Sequence, residues 1–500
     1  MAYTNSPTNS TYKTDQLVFD GTDLFRSGNL AIQRDCQTVN MYYERISKEN
    51  ERRDVCLRKR PGLTTSSYSL SKVAPTDVIR GSFYDVDQNA FYWVVGNKLY
   101  NCKPDVGTTT NLVQTINTSS GYVGFCSFLK SDNTRYVVLS DGTDLWLHDY
   151  VGGTCTRVTD PDMPTPHQPY PIYLDGYIFL VKTNTGDIYN SDLDDPFAWT
   201  SGDFITAEIS SDYALRMVKA KNYMIVLGYN SVEYFYDGAN ATGSPLSRND
   251  SPFRGVGLVT GLKTIGDTTY FVGQDNEQNL AVFMINSFKV ERISNAVVDR
   301  TLQTITSASN AKGQLNLNQD GYSLSCDGHN FYILRTPQTT WAYDIDEKFW
   351  YEFKGSDNVG LQIEAVWGMY NGSTYMGIAG QTEMSIMNPS IFQDFGVNFK
   401  CSHTTKDYTA ETTRWKMMSR CMVVADMQDY VGTSNLTLTW SDNDWGDGGS
   451  TVARQVNLFN SSPYVRTMGR FRNRSFRLDY SDNYPLRMRS LEFEINVGNT

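Results

Sequence analysis

The residues best placed to do chemistry lie in WSDNDWGDGG, Trp440 to Gly449, where Asp442, Asp444 and Asp447 stand among glycines and two tryptophans. Alternating side-chain oxygens are what a calcium loop supplies, and such a loop is usually closed by a bidentate glutamate. No glutamate follows nearby. Aspartates in a glycine-rich segment between two strand-like runs also make a plain hairpin turn, because the carboxylate bonds the backbone N–H groups that follow it. The segment reads as such a turn, with Asp442, Asp444 and Asp447 kept as a candidate calcium set.

Other chemistry is sparse. The four histidines, His148, His167, His329 and His403, fall in no HExxH and in no pair at metal spacing, and read as surface or loop residues. There is no GxSxG elbow, P-loop or dinucleotide fingerprint; FRGVGLVTG from Phe253 holds only a GxG. A glycosidase needs two carboxylates set across a cleft. Here the acidic residues cluster in turns such as SDGTD, DIDEK and DVDQN, where they have a backbone role. The expectation is a protein that is not an enzyme, with no cofactor. The eight cysteines are dispersed without CxxC pairs and read as reduced, mostly buried thiols.

The basic residues are more informative. The net charge is -11, which argues against gripping DNA or an anionic membrane by bulk attraction. Yet Arg466, Arg470, Arg472, Arg474, Arg477, Arg487 and Arg489 fall within 24 positions, offset only by Asp479 and Asp482. On a strand, Arg470, Arg472 and Arg474 share one face. Guanidinium groups pair bidentately with carboxylates. The row therefore reads as a docking face for an acidic neighbour, a second copy of the chain included. A second basic cluster, Arg58, Lys59 and Arg60, precedes PGL.

The elements that must position these residues are strands. Aromatics make up 13% of the chain, and Gly, Asn, Asp, Ser and Thr are abundant, as in many short strands joined by turns. Seven similar strand pairs begin near Ala90, Arg135, Gly176, Asn222, Thr269, Asn330 and Ser373. Their marker aromatics are Tyr92, Tyr136, Tyr177, Tyr223, Tyr270, Phe331 and Tyr375, at steps of 44, 41, 46, 47, 61 and 44. A four-stranded propeller blade has this period. The long step holds SNAVVDRTLQTI, whose apolar spacing predicts a helix near 294–306 behind Ser294 as N-cap.

The expected fold is all-β: a β-propeller of six to eight blades, seven favoured, over 66–396. Segments 1–65 and 397–500 would form a small β-rich, sandwich-like platform, since the C-terminal part alternates apolar and polar residues over longer strands. No apolar run approaches 18 residues and the N-terminus carries no secretory signal, so no membrane insertion is expected.

The flanks resemble those of the tail nozzle proteins, or packaged-DNA stabilisation proteins, of short-tailed bacteriophages. The C-terminal likeness rests on Ser441, Asp442 and Gly448, then Gly469, Arg470, Arg472, Arg474, Phe476, Ser481 and Asp482. The N-terminal likeness rests on Val39, Asn40 and Tyr42, then Pro61, Gly62 and Leu63. FKVERISNAVVDRTL matches the family's short helical insertion. The resemblance implies a structural virion protein, assembled in the host cytoplasm. It would form a homo-hexameric nozzle below the portal–adaptor ring, meet a tail needle or plug and tail fibres or tailspikes, and retain double-stranded DNA before passing it through the lumen at ejection. Arg58, Lys59, Arg60, Arg470, Arg472 and Arg474 are the candidates for adaptor or subunit contacts. The competing reading is a carbohydrate-binding or glycoside-hydrolysing propeller using the marker aromatics as sugar platforms.

Overall fold

A computed structural model describes residues 13–19, 37–45, 55–210, 212–240, 242–309, 321–337, 339–426, 433–443, 445, 452–459 and 463–498. The chain forms two compact units, one of residues 65–337 with 361–387, the other of 1–64, 338–360 and 388–500. Residues 338–360, which the repeat places with the propeller, thus group with the terminal segments.

The first unit is a β-propeller. Successive antiparallel sheets start at Ile79–Asp85, Gly124–Leu129, Ile172–Leu174, Ala214–Ala220 and Val256–Ile265, and each runs on through the next three strands in chain order. The strands Tyr322–Cys326 and His329–Arg335 form a further hairpin. The sheet that starts at Ile363–Tyr370 takes its last strand from the beginning of the chain, within Gly62–Ser69, and Leu70 N donates to Thr382 O at 2.8 Å beside it.

The second strand of each sheet is buried on both faces, which explains runs such as AFYWVV. Phe91 and Trp93 face Ala365 and Trp367, while the alternate residues Tyr92 and Val94 face Val137 and Leu139 of the following sheet. The same alternation links Val138 to Ile178, Phe179 to Met224 and Ile225 to Phe271. Each such aliphatic or aromatic side chain contributes about 1.5–3 kcal/mol, and the clusters carry packing from one sheet to the next.

The first strands are irregular. The pairing register skips Arg80 between Ile79 and Gly81, and Glu364 between Ile363 and Ala365, with further shifts at Ala214/Arg216 and Thr260/Lys263. A bulge re-aims the side chain it releases. Adjacent first strands also meet closely: a Cβ on Gly81 would stand 1.9 Å from the Val123 carbonyl oxygen, so only glycine fits.

The inserted helix is Ala296–Ser309, with Val298 and Leu302 fully buried. Its cap is Asn295, whose Oδ1 accepts from Val297 N at 3.1 Å and Val298 N at 3.0 Å. Ser294, the expected cap, instead donates to Asp299 and accepts from Val282 N.

The second unit holds two sheets. In one, Lys13–Val18 and Val55–Lys59 both pair with Arg487–Val497, which pairs in turn with Lys416–Ala425 and that strand with Tyr464–Phe471. The other runs Thr38–Val39, Cys401–Thr404, Ser475–Tyr480, Asn435–Ser441, Val452–Asn457. Phe476 of one sheet stacks on Phe493 of the other at 5.2 Å.

Candidate functional site

The basic residues singled out in the sequence divide into two kinds. Lys59, Arg60 and Arg474 are buried and do not belong to a docking face. Lys59 Nζ donates to the carbonyls of Phe392 at 2.9 Å and Asp482 at 2.8 Å, and lies 4.4 Å from the Phe399 ring centre. Burial lowers its pKa to about 8.

Arg60 is held more completely. Its two terminal nitrogens pair with Asp394 at 3.0 and 2.5 Å, Nε donates to Asn40 Oδ1 at 2.9 Å, and the carbonyls of Pro61 and Lys354 accept at 2.8 Å each. The Phe399 ring lies beneath the guanidinium at 3.9 Å. Asn40, with φ at 55°, also donates to Lys400 O at 2.7 Å. Gly62 meets the Gln393 backbone so closely that a Cβ would stand 2.1 Å from its oxygen. The residues Asn40, Pro61 and Gly62, which carry the N-terminal family likeness, therefore build one buried knot.

The turn that opens at Ser441 has a parallel role. Asp442 accepts from Arg474 Nε at 2.6 Å and Nη2 at 2.8 Å, and Arg474 lies 4.3 Å from the Phe471 ring centre. Ser441 Oγ accepts from Trp445 N at 3.0 Å. Asp444 and Asp447 lie outside the described residues, and among the described residues no group of three His, Cys, Asp or Glu is placed to hold a metal ion. Arg470, Arg472 and Arg474 do not share a face, because the strand Tyr464–Phe471 ends before Arg472 and the turn sends Arg474 inward.

Arg470 and Arg472 are exposed, and their guanidinium groups lie 5.3 and 5.0 Å from the ring centre of Trp415, itself 39% exposed. Arg466 lies on the strand of Arg470, 4.8 Å from the Tyr464 ring. None of the three pairs with a carboxylate among the described residues. The strand of Arg466 and Arg470 ends its sheet's order, so that among the described residues one row of its backbone groups has no partner strand. Sequence reading missed Trp415 and Tyr464 as members of this surface, because neither lies in a motif and only pairing with Lys416–Ala425 brings Trp415 near. Arg58 differs again: with Arg487 it pairs Glu44, at 3.1 and 2.8 Å. Burial pushes Glu44 up, but the two arginines outweigh it and hold the carboxyl below its usual value.

The histidines are buried, not at the surface. His148 Nδ1 lies 3.2 Å from Tyr92 Oη, and His403 Nδ1 2.9 Å from Thr38 Oγ1. His167 Nε2 lies 2.7 Å from Ser140 Oγ, a pair that could suggest a nucleophile and base. Ser140 is wholly inaccessible and a carbonyl, Pro164 O, holds Nδ1 at 2.8 Å, so no substrate reaches it. Among the marker aromatics, Tyr92, Tyr270 and Phe331 are buried and the other four half-buried in ring clusters, such as Tyr375 against Phe91 at 5.3 Å. They pack within the sheets' ring clusters, which takes the main support from the sugar reading. All described cysteines are free thiols.

The chain thus holds an all-β propeller and a second unit of two sheets fastened by buried cations. The family described as "Bacteriophage P22 Gp10, beta-propeller" matches residues 33–386, and the chain belongs to it. It is thus a structural tail protein of a short-tailed phage, a virion component. The tail hub protein gp10 of Salmonella phage P22 is 23% identical over 301 residues; the match spans 58% of this chain and 58% of that protein's length. Among solved structures, the extracellular domain of a hybrid two component system from B. thetaiotaomicron is similar over 65% of this chain and 39% of that one, at 12% identity and TM-score 0.42. The N-terminal domain of Nup159 is similar over 66% and 94%, at 11% identity and TM-score 0.39.

Proposed function

We propose that this chain forms the tail nozzle of its virion. Six copies close head-to-tail into a ring below the portal and its adaptor, retain the packaged DNA and conduct it at ejection, with a needle or plug and the fibres or tailspikes as further partners. The family match over residues 33–386 carries this reading. Assembly takes place in the host cytoplasm. In this reading the propeller has seven blades, the last completed by Gly62–Ser69, and carries out no catalysis.

The contact residues in this reading are Arg470 and Arg472, with Arg58 at the margin. An exposed, carboxylate-free arginine edge on a chain of net charge -11 suits an acidic partner surface, and the chain itself is one. Head-to-tail closure requires two different faces on each copy, and the basic edge would be one of them. Light scattering of the purified chain, alone and with a portal–adaptor ring, tests this. A hexamer, or a monomer that becomes one on the ring, supports the nozzle; a monomer indifferent to the ring overturns it.

A further inference from the structure

The propeller unit carries an open cleft of about 1230 Å³ whose charge is opposite to that of the chain. Its wall is built from the first strands of successive sheets, from Ile79 through Gly124, Ile172, Val218 and Lys263 to Glu364. Six cations line it, Arg80, Lys98, Arg216, Lys219, Lys263 and Arg335, against two carboxylates, Asp77 and Glu364. The lining carries four net positive charges in a chain of net charge -11.

Some of these charges are already committed. Arg80, released by its bulge, donates to the carbonyls of Gly96, Thr118, Ser120 and Gly121 and fastens the loop there. Glu364, released by the other bulge, is neutralised by buried Lys72 at 2.6 Å. Asp77 accepts from the backbone N–H groups of Val73 and Ala74. Arg216 lies 4.0 Å from the ring centre of Tyr170, which stacks on Tyr122 at 4.9 Å. That leaves Lys98, Lys219, Lys263 and Arg335 facing the cavity. Among the described residues no carboxylate pairs with any of them. Arg335 Nη1 donates to Ile363 O at 3.0 Å.

Like charges gathered in a cleft with low-dielectric walls repel each other and concentrate counter-ions there. The bulge at Arg80 adds positive charge to the wall, and the one at Glu364 places there a carboxylate that Lys72 neutralises. We infer that the propeller cavity is a binding site for a compact phosphoanion: a short polyphosphate or the triphosphate of a nucleotide. The four cations without a carboxylate partner among the described residues match the charge of such a group, and the Arg216–Tyr170–Tyr122 stack offers a flat wall beside it. The volume lies just above the roughly 300–1,000 Å³ of small-molecule sites, and the cations are gathered in one cleft, whereas the phosphates of a nucleic-acid duplex run on at one charge per roughly 1.7 Å of axis. This inference rests on the propeller alone and stands apart from the nozzle reading.

Isothermal titration calorimetry of the full chain with sodium tripolyphosphate, at constant ionic strength, tests it. The expected result is one saturable site. Lys219→Gln and Lys263→Gln, whose side chains are exposed and half-buried, should each weaken binding by on the order of tenfold, the loss of one charge-assisted hydrogen bond. Lys221→Gln removes the same charge outside the cavity, where it pairs with Asp267, and should leave the affinity unchanged. ATP identifies the source of the phosphates: tighter binding than tripolyphosphate assigns the flat wall to a base, equal or weaker binding assigns the site to the phosphate chain. No saturable heat with either anion overturns the inference, as does equal weakening by Lys221→Gln. Thermal melts of the three variants confirm that each is folded.

Discussion

Arg60→Met should destabilise the terminal unit severely while leaving the propeller intact. The wild-type side chain is fully inaccessible and its partner Asp394 is 3% exposed, so methionine fills the volume but leaves a carboxylate without its counter-ion. It also strips the donors from Asn40 Oδ1 and from the carbonyls of Pro61 and Lys354. Breaking a buried ion pair from one side costs about 3–5 kcal/mol. Taking about 3 kcal/mol, a unit of about two hundred residues loses roughly 6–12 °C in melting temperature. Differential scanning calorimetry would show this as a downward shift of one transition, with the propeller transition unmoved. The double variant Arg60→Met with Asp394→Leu should recover part of the loss, because the orphaned charge is gone. A shift under about 1 °C for Arg60→Met would refute the buried knot and return Arg60 to the surface as a contact residue.

Charge reversal at the open edge, Arg470→Glu with Arg472→Glu, should abolish assembly with the portal–adaptor ring while changing the melting free energy by less than about 0.5 kcal/mol; light scattering and a melt on one sample check both. His403, neutral in the fold because burial lowers its pKa to about 3 from 6.5, binds a proton only in the unfolded chain as pH falls from 6.5 toward 3. Its contribution is therefore full above pH 6.5 and is reduced by about 2 kcal/mol at pH 5; denaturant melts of wild type and His403→Gln should diverge by that amount, and parallel pH profiles would contradict it. Gly62→Ala should cost about 1–3 kcal/mol, because the new Cβ meets Gln393 backbone oxygen and nitrogen at 2.1 and 2.7 Å and neither can turn aside; urea unfolding measures it.

The sequence made the second and third strands of each sheet legible, because burial on both faces leaves an apolar run that polar residues break only at turns. Ala90–Val95 and Arg135–Ser140 begin where the repeat places them. The first strands were hidden for a physical reason: Ile79–Asp85 and Ile363–Tyr370 carry bulges that break period-2 alternation and release Arg80 and Glu364 into the cavity wall. The cavity itself was therefore invisible in the sequence. So was the division of the arginines. Arg470, Arg472 and Arg474 look alike at a spacing of two, and only the end of the strand at Phe471 separates exposed residues from a buried one. Charge is read as surface from sequence, but Lys59 and Arg60 are satisfied by carbonyls, aromatic faces and Asp394, which lies 334 residues from Arg60.

Sheet pairing in the terminal unit imposes an order on synthesis. Lys13–Val18 pairs with Arg487–Val497, and Gln16 Nε2 bonds Ser490 Oγ across 474 residues. Val55–Lys59 pairs with the same late strand. As the ribosome proceeds from the N-terminus, Val55–Lys59 can pair only with its earlier neighbour Met41–Arg45, and among the described residues Lys13–Val18 has no partner strand until that late strand emerges. The propeller's last sheet likewise keeps its outermost place for Gly62–Ser69 until Glu383–Asn388 has been made. Contacts of such sequence separation form slowly, after the loops between them have closed. A prematurely terminated chain can fold its middle sheets, but it lacks the sheet that presents the arginine edge. Translation is thereby coupled to quality control: only a chain extended through Val497 completes the sheet that carries the arginine edge.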